Sequence, residues 1–131
     1  MRENKTTIID FYQGAYGPAI RIDVQDIEWL KSFKKSFAQL TSKNITELDL
    51  LSLNGVEKDE INGFKIAIGS STNLSMFSNE QFERYPSFLW TINVEYMKRT
   101  IGAIDWFLEN NKAGHYYLYE DEIDIELAYK E

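Results

Sequence analysis

The sequence contains no cysteine, one histidine and two prolines. Without cysteine there is no disulfide, no thiolate nucleophile and no thiolate metal site, so the fold must rest on packing, and the cytoplasm is the expected compartment. With His115 as the sole imidazole, a two-histidine metal centre is excluded. A Ser-His-Asp triad would depend on this one residue, and no Gly-x-Ser-x-Gly elbow accompanies it. His115 therefore reads as a structural tie between a helix end and the sheet. Long apolar runs are missing too. None approaches the roughly 18 residues that span a bilayer, and Met1 to Lys5 is polar, so neither export nor membrane association is expected. The Asn-x-Ser/Thr triplets at Asn4, Asn44 and Asn73 then read as chance.

Positive charge is also scarce, and the formal net charge is −7. The imbalance is uneven, since residues 1–43 sum to +2 and residues 44–131 to −9. Such a field repels phosphate backbones, which disfavours nucleic acid and favours a basic protein partner; its plainer role is solubility. What the chain has in quantity is apolar and aromatic surface, 44% and 15% of residues respectively. At 131 residues this is the size and composition of a single domain spanning residues 1–131.

Local pattern gives the order of elements. Thr6 to Tyr12 is a β-branched and aromatic run, and Ala19 to Val24 alternates apolar with polar, with turn residues between them. Ile27, Leu30, Phe33, Phe37 and Leu40 recur at helical spacing behind Asp26, a natural N-cap. Leu48, Leu50 and Leu53, then Phe64, Ile66 and Ile68, suggest a hairpin joined by a long loop made acidic by Glu57, Asp59 and Glu60. Residues 70–87, with apolar anchors at Leu74, Met76, Phe77 and Phe82, read as an irregular connection. Phe88 to Ile92 reads as an edge strand because Pro86 is close by. Asn93 caps a second helix whose stripe is Val94, Met97, Ile101, Ile104 and Leu108, ended by Asn110, Asn111 and Gly114; Gly102 inside it suggests close packing of backbones. The last seventeen residues form a hairpin with His115, Tyr117 and Tyr119 on one side and Tyr116 and Leu118 on the other. The expected fold is α+β, in two layers: an antiparallel or mixed sheet of about six strands with both helices packed on one face.

The closing hairpin holds the most distinctive chemistry. Glu120, Asp121, Glu122, Asp124 and Glu126 are hard oxygen ligands, yet the glycine-containing calcium loop is absent, so no metal is expected there and a solvated or partner-binding face is. Gly69 to Asn73 lacks the spacing and the lysine of a phosphate-binding loop. No pair among the acids is singled out for glycosidase chemistry, and neither a cofactor nor catalysis is expected. Trp29, Trp90 and Trp106 read as core or core edge. Tyr116, Tyr117, Tyr119 and Tyr129 cannot all be buried on one face, and a tyrosine among acids suits an anchor for basic side chains.

An amphipathic helix containing Trp106, followed by Gly114-His115-Tyr116-Tyr117-Leu118, an acidic turn and an alternating strand, resembles the small immunity proteins of bacterial polymorphic toxin systems. In those proteins a helix runs into a Gly-His-Gln-Tyr-Leu-like strand; here Tyr116 stands in place of the glutamine. The resemblance covers residues 94–131 and implies a cytoplasmic inhibitor that occludes a cognate toxin protein with a basic surface. Its contact residues would be Tyr117, Tyr119, Glu120, Asp121, Glu122, Asp124 and Glu126. The alternative is a non-catalytic small-molecule or peptide-binding domain using an aromatic cleft between helices and sheet.

Overall fold

A computed structural model of the chain describes residues 6–15, 17–77 and 84–131. The opening polar segment, Tyr16 and Phe82, one of the anchors of the 70–87 region, lie outside them. Strands β1 (Thr7–Gly14) and β2 (Gly17–Val24) form an antiparallel hairpin in which Ile9 and Phe11 meet Ile22 and Ile20. Helix α1 (Ile27–Thr41) starts where the Asp26 side chain accepts a hydrogen bond from the Glu28 backbone N–H, and it buries Trp29, Leu30, Phe33, Phe37 and Leu40. The capping satisfies one of the N–H groups that a helix start leaves without a partner.

The middle of the chain departs from a simple hairpin. Strand β3 (Glu47–Asp49) pairs antiparallel with β5 (Gly63–Ile68), as the long-loop reading expects. The segment between them is itself structured: a single 3-10 turn at Leu50–Ser52 leads into β4 (Val56–Asp59), which pairs in parallel with β1. Glu57 and Asp59 are therefore strand residues. The 70–87 region is also less irregular than its composition suggests, because β6 (Asn73–Phe77) pairs with β7 (Ser87–Ile92). β7 is an interior strand, with β5 on its other side. Pro86 precedes it, so the missing N–H falls outside the ladder while the proline carbonyl accepts from Asn62 N–H at 2.8 Å.

Helix α2 (Val94–Asn110) is capped by Asn93, whose side chain accepts from the Tyr96 N–H, and ends at Asn111 in the left-handed conformation with φ 45°. Strands β8 (Gly114–Tyr119) and β9 (Asp124–Tyr129) close the chain. β9 lies between β8 and β2 and runs parallel to β2, bringing Ile125, Leu127 and Tyr129 beside Ile20, Ile22 and Val24.

The described residues thus form an α+β domain with two helices and nine strands in two mixed sheets, ordered β4-β1-β2-β9-β8 and β3-β5-β7-β6. That is more strands, and one more sheet, than composition and period suggest. Both helices touch both sheets, α1 through β2, β3 and β5 and α2 through β8 and β7. The Phe11 and Phe88 rings meet directly at 5.1 Å between the sheets. A single core runs through Ile20, Ile22, Phe33, Phe37, Phe64, Trp90 and Leu127, all fully buried. No helix among the described residues is long and apolar enough to cross a membrane.

Candidate functional site

Alternation along the first sheet decides what faces outward. With Ile9, Phe11, Ile20, Ile22, Ile125 and Leu127 turned to the core, the intervening side chains share the opposite face. Across it run Glu57 and Asp59 on β4, Asp10 and Tyr12 on β1, Arg21 and Asp23 on β2, Asp124 and Glu126 on β9, and His115 and Tyr117 on β8. Carboxylates dominate, and the pairing places Arg21 between Asp10 on one neighbouring strand and Glu126 on the other.

The centre of this face is strained electrostatically. Arg21 Nε lies 3.8 Å from Asp10 Oδ1 and Nη2 lies 3.9 Å from Asp23 Oδ2, so both contacts are loose. Asp10 Oδ1 and Arg21 Nε are buried without a hydrogen-bond partner. Burial raises the Asp10 carboxyl above its usual pKa; Arg21 opposes this, while Asp59 and Asp23 add to it. Beside them the Tyr12 phenol donates to Glu126 Oε2 at 3.1 Å, and Glu126 is only 6% exposed. Burial, and then the Glu126 carboxylate, push the Tyr12 hydroxyl up to about 12, which keeps it a donor at neutral pH.

At one end of the face Tyr12, Tyr117, Ala19 and Asp124 enclose a hollow of about 160 Å³ against the β1–β2 turn. Two tyrosines and one aspartate are among the residues that line it. At the other edge His115 Nδ1 meets both carboxylate oxygens of Glu131, at 2.9 and 3.1 Å. The Glu131 hydrogen bond raises the His115 pKa against a smaller effect of burial. The imidazole thus ties β8 to the chain beyond β9, and not the helix end to the sheet. His115, Glu126 and Glu131 offer ligand atoms within 4.8 Å of one another, but each carboxylate already accepts a hydrogen bond, from the Tyr12 phenol or the imidazole.

The residues expected to bind are thereby separated. Tyr117, Asp124 and Glu126 belong to the outer face. Glu120, Asp121 and Glu122 are exposed in the turn beyond it. Tyr119 does not join them: the β8–β9 register shifts between Tyr117 and Tyr119, so Tyr119 turns inward to meet Trp90 and Tyr96 and donates its hydroxyl to Asp121. Tyr129 is fully buried, with its hydroxyl donating to Asn111. Asp10, Tyr12, Arg21, Asp23, Glu57 and Asp59 were not among the expected residues. Period-2 alternation in β1 and β2 points to the sidedness of the first four, but only the parallel β1–β4 and β2–β9 pairings bring all six onto one face with the hairpin acids.

On the helix side of β8 a second concavity, of about 550 Å³, opens between the strand and α2. Trp106, read from sequence as core or core edge, lines it and is 49% exposed. Gly102 lies along it with nothing within 4 Å of where a Cβ would stand, so no close backbone approach explains this glycine.

Compared with known proteins, the chain matches no protein-family model, no curated protein and no solved structure.

Proposed function

We propose that the chain is a non-catalytic binding protein that covers a basic protein surface with the outer face of its first sheet. The observation that carries this reading is the hollow formed by Tyr12, Tyr117 and Asp124 within an acid-rich face. Such a hollow suits the end of one lysine or arginine side chain, held by the Asp124 carboxylate beside Tyr117 and Tyr12, the latter already carrying the Arg21 guanidinium 5.4 Å over its ring. The surrounding carboxylates raise the encounter rate with a positively charged partner and set its orientation. Arg21 is surrounded by acids, so it tempers their mutual repulsion without reversing the sign of the surface.

The resemblance of residues 94–131 to immunity proteins supplies the partner class. In this reading the protein stays in the cytoplasm of a bacterial cell and neutralises a cognate toxin domain by occlusion, one molecule to one. No catalytic group is required, because occlusion needs only a rigid complementary surface. Co-expression with the protein encoded immediately upstream tests it: rescue from toxicity together with co-purification is the expected result. If that protein is toxic and neither rescue nor a complex is seen, the toxin reading is lost.

A further inference from the structure

The cleft between α2 and β8 has three properties that packing alone does not require. The first is its origin. Arg99, Gly102, Ala103, Trp106 and Phe107 bring successive turns of α2 to it, and position 102 carries no side chain. A helix-interior glycine is unfavourable relative to alanine, and it is usually retained where a neighbour comes too close for a Cβ. Here no neighbour lies within 4 Å, and what the missing side chain leaves is open volume.

The second is its lining. Trp106 and Tyr116 are 49% and 41% exposed, and the Trp106 and Phe107 rings stand at 88° to each other with centroids 5.3 Å apart. A flat ring entering the cleft therefore has the half-exposed Trp106 indole to lie on, with Tyr116 beside it, while the buried Phe107 ring backs Trp106. At about 550 Å³ the space is in the usual range for a small-molecule site.

The third is its charge. In a chain of net charge −7, no carboxylate lines this cleft among the described residues, and Arg99 does. The Arg99 guanidinium is held 4.8 Å over the Tyr96 ring, and the neighbouring Tyr116 hydroxyl favours its charged form. A guanidinium has five N–H donors, so these contacts leave donors for a bidentate acceptor.

We propose that this cleft binds a small planar aromatic acid, its ring against Trp106 and its carboxylate on Arg99. The site lies between α2 and β8, away from Tyr117, and meets the protein-binding face only at His115, which also lines the cleft. Because Arg99, Gly102 and Trp106 are on α2, changing them leaves Tyr12, Tyr117 and Asp124 in place, and a ligand here and a partner there are tested separately. Naphthalene-2-carboxylate and its uncharged counterpart naphthalene-2-carboxamide are suitable probes, titrated by calorimetry with the Trp106 indole N–H followed by NMR. The acid is expected to bind about tenfold or more tightly than the amide, the scale of one charge-assisted hydrogen-bond pair. Arg99→Gln should erase that preference. Gly102→Leu should fill the cleft and abolish binding while preserving, or raising, the melting temperature. Should that variant fail to fold, Trp106→Ala, at a half-exposed position, is expected to cause the same loss of binding. Equal affinity for acid and amide, binding that survives Gly102→Leu, or no saturable binding at millimolar acid would each overturn the proposal.

Discussion

Asp10 and Arg21 face each other across β1 and β2, yet their nearest atoms are 3.8 Å apart and both are buried without a hydrogen bond. A pair with this geometry does not recover its desolvation, which is why burial outweighs Arg21 and leaves the Asp10 pKa raised. The sign follows by linkage. A carboxyl whose folded pKa lies above its unfolded value favours the fold when protonated, so its stabilising effect is present at low pH and lost as pH rises through the folded value. Asp10→Asn should therefore stabilise the protein at pH 7, by about 0.5–2 kcal/mol as for other relieved charge clusters. The gain should shrink as pH falls toward the ordinary carboxylate range, and chemical denaturation at several pH values measures it. No gain at pH 7 would mean that Arg21 compensates Asp10 fully. Residues such as Asp26 and Asn93 were legible as caps because a cap acts within three residues of itself. Asp10 was not, because its neighbours Arg21, Asp23 and Asp59 come from other strands.

At the scale of elements, the irregularity in β8 matters most for function. Strict alternation puts Tyr117 and Tyr119 on the same side, but the register shift after Tyr117 sends Tyr119 into the core, where it is 7% exposed. A bulge changes which face the following residues take, and it leaves no composition signal in Tyr-Tyr-Leu-Tyr. The two tyrosines should therefore behave oppositely. Tyr119→Ala is expected to cost about 3–5 kcal/mol, as for other large aromatic truncations in a core. Tyr117→Ala should cost less than about 1 kcal/mol while weakening capture of the basic partner. Thermal melts and affinities on the two variants decide this, and equal destabilisation would place Tyr117 in the core as well. The same limit applies to β7: its alternation of Phe88, Trp90 and Ile92 with Ser87, Leu89 and Thr91 shows a strand, while its interior position depends on β6, a strand whose own sequence is weakly patterned.

At the scale of the whole molecule, the acidic face is not confined to the closing hairpin. Asp124 and Glu126 join Asp10, Asp23, Glu57 and Asp59 from distant parts of the chain on one face. Reversing Asp121, Glu122 and Asp124 to lysine should slow association with a basic partner and flatten its salt dependence, with the fold retained, since steering acts through the summed field. Unchanged association rates across a salt series would remove this end of the sheet from the interface. The sequence by itself determined the α+β class, both helices with their caps, the hairpin strands and the acidity of the chain, because periodicity, capping and charge are local or additive properties. Only the tertiary structure decided that the strands divide into two sheets, that β9 inserts beside β2, that Tyr119 is core while Tyr12 joins Tyr117 at a hollow, and that Gly102 opens a cleft. The physical reason is that parallel pairing, register shifts and unfilled space are settled by contacts between segments far apart in the chain, where no local pattern records which partner is chosen.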